Sequence, residues 1–389
     1  MVKELAINGG KPIRDKMLPY GHQWIDQDDI KAVSEVLQSD WITQGPKVEE
    51  FEESFATYIG ARYAIAVNSG TAALHTACFA ARISKGDKVI ITPITFVASA
   101  NCVIYQGGIP IFADINENTV NIDPEEIKKK ITSDTRAIIP VDFTGLPVDL
   151  EEIIQIAKRN NLVVIEDASH ALGATYKRSK IGNISDMTIF SFHPVKHICT
   201  GEGGAVLTND KSVAEHIRLL RSHGIHRPGL PEQPAWFYEQ IELGWNYRLT
   251  EMQAALGVSQ LKRLPQFITR RRQIAQRYYE ELNKAPFDHV FSLPVDDPGH
   301  VYHLFAIQCK ASTVRDDLHR FLKEKNIMTQ IHYIPVYKHP YYERRFGKIR
   351  LPGAEAYFKG CLSIPIYPKM TEADQDRVIA ALTTFCTQG

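Results

Sequence analysis

The sequence lacks net charge: 45 lysines and arginines are matched by 45 aspartates and glutamates. Such a balance offers no electrostatic attraction to nucleic acid or to an anionic membrane surface, so neither is an expected partner. Long apolar runs are missing too, and none approaches the roughly 20 residues that cross a bilayer. The opening MVKELAINGGKPIRDK carries no apolar signal core, so the expected location is cytoplasmic. Cysteine is sparse: the six (Cys78, Cys102, Cys199, Cys309, Cys361, Cys386) are scattered, without a CxxC pair or a histidine at zinc spacing. This excludes a disulfide framework and a zinc ribbon, and leaves the cysteines as small buried apolar residues. His193 and His197 stand at i, i+4, but Pro194 between them breaks the helix that a metal pair needs, and no metal is expected. Neither GxGxxG nor a Walker A motif is present, which argues against a dinucleotide enzyme or an NTPase. No internal repeat or low-complexity tract occurs.

What is there is a chain of 389 residues, 44% hydrophobic, longer than one core comfortably serves. From about residue 26 to 264, short apolar runs alternate with amphipathic stretches, the pattern of strands and crossover helices. Expected strands are AIAVN (64–68), KVIIT (88–92), PIFAD (110–114), AIIPVD (137–142), LVVIED (162–167), MTIFSF (187–192) and GAVLTN (204–209). Continuous apolar runs of this kind suit an α/β domain with a mostly parallel seven-stranded sheet between helices. TAALHTACFAARI, DLEEIIQIAKRN and KSVAEHIRLLRS have the spacing of one-sided helices. A long charged helix is expected over roughly 265–285. Beyond it, strand-like YHLFAIQC and TQIHYI with helical RDDLHRFLKEKN and DQDRVIAALTTF indicate a smaller α+β domain over 265–389, with residues 1–25 packing nearby.

Three segments carry chemistry. In SFHPVKHICTGEGGA, Lys196 follows a strand and precedes a Gly-rich turn, at the strand's carboxyl end where open α/β sheets bind ligands; a solvated loop lysine is the plain alternative. LVVIEDASHA ends a buried run on Asp167, 29 residues before Lys196. A carboxylate there needs a partner, and a protonated pyridine nitrogen would serve; otherwise Asp167 is a helix N-cap. VNSGTAALHTA turns from strand to helix through Ser69, Gly70 and Thr71, so free N–H groups and the helix dipole favour a phosphate, although Ser and Thr are also ordinary caps.

A phosphate-ready turn, a carboxylate and a lysine, in this order along such a sheet, bring a family into view. The chain resembles the DegT/DnrJ/EryC1/StrS aminotransferases, sugar aminotransferases of pyridoxal phosphate fold type I, through AINGGKP, WITQGPKVEEFE, VNSGTAAL, TPITFVASANCV, IEDASHALGATY, FSFHPVKHICTGEGGAV, GWNYRLTEMQAALGVSQL and HYIPVY. The resemblance implies a pyridoxal 5'-phosphate cofactor held as a Schiff base on Lys196, its ring nitrogen facing Asp167 and its ring covered by Phe96, which otherwise is a core phenylalanine. Gly70, Thr71 and Ser191 would bind the phosphate, and Asn246 would reach the cofactor of a neighbouring subunit, implying a homodimer with shared active sites. His170 matches a position close to the cofactor, or makes a structural hydrogen bond. The implied reaction takes an amino group from glutamate and gives it to a nucleotide-linked keto sugar in ping-pong turnover. TQGPKVEEFE, SFHPVK with TGEGG, RSHG and HYIPVY most resemble enzymes that aminate C4 of a UDP-linked 4-keto-6-deoxy-N-acetylhexosamine in pseudaminic acid synthesis; HIC at 197–199 departs from their pattern. His223, His226 and Arg227 are candidate diphosphate contacts. A dehydratase of the same family would carry histidine in place of Lys196, and a regulator without turnover would not need Lys196, Asp167 and the turn together.

Overall fold

The computed structural model describes residues 16–228 and 233–388, and among them all seven expected strands form within three residues of their expected ends. They are β1 (Tyr63–Val67), β2 (Lys88–Ile91), β3 (Ile109–Phe112), β4 (Thr135–Ile139), β5 (Val163–Asp167), β6 (Met187–Ser191) and β7 (Gly204–Thr208). One sheet contains them in the order β1-β7-β6-β5-β4-β2-β3. β3, β2, β4, β5 and β6 pair in parallel, while β7 runs antiparallel to both β6 and β1. Since β7 reverses direction twice over, β1 points the same way as the parallel strands. Six carboxyl ends and the amino end of β7 therefore share one edge of the sheet.

The strands are apolar on both faces over most of their length because both faces are covered, with Glu166 and Thr188 as buried polar exceptions. Ala64, Ala66, Ile90, Ile138, Val164 and Phe190 belong to one buried cluster, and their neighbours Ile65, Val67, Ile91, Ile139, Ile165 and Ile189 to another. That period of two is the pleat of the strand. The helices Gly70–Ala80, Leu150–Asn160 and Lys211–Leu220 form where the one-sided spacing predicts them. A third cluster gathers on β8 (Phe291–Ser292), β9 (Phe305–Cys309) and β10 (Cys361–Ile364), with helices Ser312–Glu324 and Glu372–Gln388 and the buried Leu18.

Two expectations along the chain differ from the structure. The long helix runs Glu251–Leu282, starting well before residue 265, because Thr250 and Gln253 close a capping box and Pro265 is tolerated inside. Its apolar residues up to Ile268 pack against the large sheet, and those from Ile274 onward join the third cluster. TQIHYI is not a strand: Gln330 exchanges backbone hydrogen bonds with Ser363 (2.8 and 3.1 Å), after which residues 331–334 leave the sheet to line a cavity. Cys78, Cys102, Cys199, Cys309 and Cys361 are buried as expected, and Cys386 is half-buried. Among the described residues no helix is long and apolar enough to cross a membrane.

Helix Gln27–Leu37 is locked to the long helix through Asp29, whose fully buried carboxylate accepts from Ser259 Oγ (2.6 Å), Gln260 Nε2 (2.6 Å) and Arg263 Nη1 (3.1 Å). Removing one member of such a network strands the others. Asp29→Ala is expected to cost about 3 kcal/mol of stability, read as a lower urea midpoint at unchanged slope.

Candidate active site

At the shared edge lies a cavity of about 900 Å³ lined by Ser69, Gly70, Thr71, Phe96, Asp167, His170, Ser191 and Lys196, among others. Seven of the eight site residues expected from sequence thus meet in one place, supplied by turns after β1, β2, β5 and β6. Strand directions bring them together. Asn246 is the exception: its side chain is exposed and does not line this cavity, and its carbonyl accepts from Asn68 Nδ2 at 3.3 Å. His223, His226 and Arg227 are exposed and also lie outside it.

Ser69 caps the helix Gly70–Ala80, its Oγ accepting from Ala72 N at 3.0 Å. The N–H groups of Gly70 and Thr71 belong to the first turn and have no intrahelical acceptor, so the helix end is ready for an anion. Glycine is needed at two points of this turn. A Cβ on Gly70 would stand 2.9 Å from Ser191 Cβ, and one on Gly204 only 2.6 Å from the Ser69 carbonyl oxygen. The close approach of β7 to the turn fixes where the helix begins.

Asp167 ends β5 and no helix follows, so it is not an N-cap. Its buried carboxylate accepts from Ser99 Oγ (2.7 Å) on one oxygen, and from Ser169 Oγ (2.6 Å) and Ser169 N (3.2 Å) on the other. Ser99 is steadied in turn by Thr95 at 2.8 Å. These neutral donors orient the carboxylate without neutralising it, which leaves it fit to accept from a cationic ring nitrogen. Phe96 is 59% exposed on the cavity wall, which rules out the core-phenylalanine alternative. His170 is buried, its Nε2 3.4 Å from the Tyr333 hydroxyl and its ring stacked on Tyr333. Ser191 Oγ accepts weakly from His193 N at 3.4 Å and faces Gly70.

Lys196 sits in the turn after β6, half-buried, its N–H bonded to the His193 carbonyl at 2.8 Å. It is no freely solvated loop lysine. Burial pulls its ammonium down to about 8, against the upward pull of Asp167's charge and with a further downward push from Arg271. An amine so placed is available as a nucleophile and base near neutral pH. His197 does not join His193 in a metal pair: its Nε2 donates to the Val301 carbonyl at 3.2 Å.

Sequence reasoning missed Ser99, Ser169, Tyr333, His303 and Arg271. Ser99, a hydroxyl inside an otherwise apolar helix start, and Ser169, two residues after Asp167, left faint local signals. His303 and Arg271 are more than 70 residues from Lys196 and left none.

A carboxylate without a cationic hydrogen-bond donor, a low-pKa amine and an anion-ready helix end around one cavity fit a pyridine phosphate carrying a carbonyl. The family comparison agrees. The model of the DegT/DnrJ/EryC1/StrS aminotransferase family matches residues 23–383. This chain belongs to that family. The aminotransferase is 42% identical over 383 residues to the spore coat polysaccharide biosynthesis protein SpsC of Bacillus subtilis, covering 95% of this chain and 97% of SpsC. Its fold superimposes on Helicobacter pylori PseC, an aminotransferase involved in the biosynthesis of pseudoaminic acid, with a TM-score of 0.91 and 32% identity over 96% of this chain and all of PseC. Spr1654 of Streptococcus pneumoniae in its PLP form gives a TM-score of 0.89 at 26% identity, covering 96% and 99% of the two chains. The cofactor of this aminotransferase is pyridoxal phosphate.

Two outcomes follow for the apoenzyme. Acylation of Lys196, followed by peptide mapping across a pH series, should have its midpoint near 8. In Asp167→Asn the midpoint should fall, because the charge that favours the ammonium is gone; a midpoint near that of ordinary lysine, about 10.4, would contradict the burial argument. Gly204→Ala should weaken pyridoxal phosphate binding roughly tenfold, as read by fluorescence titration, since the added methyl displaces the turn that starts the helix.

Proposed function

We propose that this aminotransferase holds pyridoxal phosphate on Lys196 and transfers an amino group from glutamate to C4 of a UDP-linked 4-keto-6-deoxy-N-acetylhexosamine. The observation that carries the cofactor assignment is that Lys196, with its ammonium lowered to about 8, shares a cavity with the buried carboxylate of Asp167 and the open end of helix Gly70–Ala80. The sugar assignment rests on the likeness to PseC and on the motifs around Lys196. Gly70, Thr71 and Ser191 would hold the phosphate, Phe96 one face of the ring, and Asp167 the ring nitrogen, with His170 close by.

Pyridoxal phosphate supplies the electron sink that accepts the electron pair left when the substrate loses its proton. The side chains do the rest. Asp167, oriented by Ser99 and Ser169, would accept from the ring nitrogen and so hold a proton there. Lys196 Nζ, as a free amine, would take the proton from the substrate α-carbon and give it back, a task for which an amine titrating near 8 is suited. The helix end and Ser191 would anchor the phosphate and so hold the reacting atoms near Nζ.

A homodimer with shared sites belongs to this reading. Asn246 is exposed outside its own cavity, on a stretch that also exposes Trp236, Tyr238, Ile241 and Leu243, with Trp41 and Ile42 likewise uncovered elsewhere in the chain. A second copy would cover apolar surface of this kind.

Borohydride reduction of the holoenzyme should fix the cofactor to Lys196, and Lys196→Arg should lose turnover by about 10²–10⁴-fold while still retaining cofactor. A variant with wild-type rate would refute the assignment. Mixing inactive Lys196→Ala and Asn246→Ala subunits should restore about a quarter of wild-type activity, since half the dimers are hybrids with one complete site in two; no recovery would refute the shared site. Assay against a panel of nucleotide-linked 3-keto and 4-keto sugars, with glutamate as donor, decides the acceptor. Preference for a 3-keto sugar would overturn the C4 assignment.

A further inference from the structure

Behind Lys196 lies a group of side chains that, His170 apart, the transamination reading leaves without work. His170 and His303 pack with ring centres 4.4 Å apart, and the His197 ring is 5.6 Å from that of His303. Beneath them Arg271 is fully buried, its Nη1 donating to the carbonyls of Tyr302 (3.1 Å), His303 (3.2 Å) and Ile366 (3.1 Å). Arg271 Nη1 thereby fixes the backbone on which the His303 ring stands.

Of these imidazoles, His303 touches the amine: its Nε2 is 3.4 Å from Lys196 Nζ. Among the described residues its Nδ1 is buried without a partner, so the ring makes a single hydrogen bond there. Burial, followed by the charge of Lys196, His170, His197 and Arg271, keeps the His303 imidazole well below its ordinary range, so it is neutral in use. A neutral imidazole has one acceptor nitrogen, and the amine is the donor it faces.

We propose that His303 is a positioning residue for Lys196: its Nε2 accepts one N–H of the amine, fixing the direction of Nζ and giving the ammonium form a partner inside the protein. The proposal rests on Lys196 being the reacting amine. That amine must be neutral to attack and must also carry a proton between two carbons, so both forms have to lie within reach. Among the described residues no other acceptor lies within hydrogen-bond distance of Lys196 Nζ, although several groups face it. Asp167 acts on Lys196 through charge, with its hydrogen bonds taken from serines, and Arg271 opposes protonation. His193, His197 and His332 are all lowered, His332 to about 3, in each case by burial first, and His170 is turned to Tyr333.

The test uses the apoenzyme, its reconstituted form and two substitutions. His303→Phe keeps the ring shape and removes the acceptor, whereas His303→Gln restores an acceptor oxygen. Lys196 acylation by acetic anhydride, mapped across pH, should show the midpoint moving down by about one pH unit in the Phe variant, a tenfold change that one charge-assisted hydrogen bond accounts for. The Gln variant should recover most of that shift, which a purely structural role for the ring would not predict. Equal midpoints in wild type and His303→Phe, or a Gln variant displaced as far as Phe, would overturn the proposal. If the Phe variant does not fold, His303→Leu takes its place with the same expected shift. Borohydride trapping of pyridoxal phosphate in the same proteins separates the two readings. Failure to label Lys196 in the wild type defeats the lysine assignment, while equal midpoints with labelling intact defeat His303 alone.

Discussion

A carboxylate taken out of water and given only hydroxyl and amide donors remains a charge in search of a partner, and Asp167 is that group here. Its place at the end of β5 depends on the parallel sheet, and its orientation depends on Ser99, itself held by Thr95 from the turn after β2. The same charge pulls upward on Lys196 in the next strand's turn, against the burial that pulls it down. In the proposed reading, cofactor chemistry therefore starts from an unsatisfied electrostatic requirement that the sheet creates and that a pyridinium nitrogen would meet.

The second constraint is close backbone approach. β7 runs antiparallel between β1 and β6, and its first residue, Gly204, lies against the backbone of Ser69 and Gly70. Because that contact admits no Cβ, the helix starting at Gly70 has one position relative to Ser191 and to the lysine turn. Helix end, carboxylate and amine are thus held by three different strand ends of one rigid sheet, the arrangement in which small displacements cost most in rate.

Arg271 extends the site into the long helix. A buried guanidinium that donates to three carbonyls, with no carboxylate hydrogen-bonded to it among the described residues, acts on Lys196, His197 and His303 together and holds the backbone that carries His303. The helix Glu251–Leu282 joins the large sheet's core to the third cluster, so the environment of Lys196 depends on packing contributed by both.

Much of this was legible in the residues. The apolar runs located seven strands, because strands covered on both faces carry apolar residues on both. Lys196, Asp167 and Gly70 stood out because each closes or follows such a run. The start of the long helix was also written, in Thr250 and Gln253, but the apolar stretch before residue 265 hid it. Nothing local distinguished the strand-like TQIHYI from a strand, because leaving the sheet after Gln330 is decided by the cavity that residues 331–334 line. The sequence by itself determined the class of sheet, the family and the residues at the strand ends, since periodicity and strand termini are properties of neighbouring positions. Only the tertiary structure decided that Asp167 is not a cap, that Phe96 stands on the cavity wall, and that His303 and Arg271 surround Lys196, because burial and through-space charge act between residues that the chain keeps far apart.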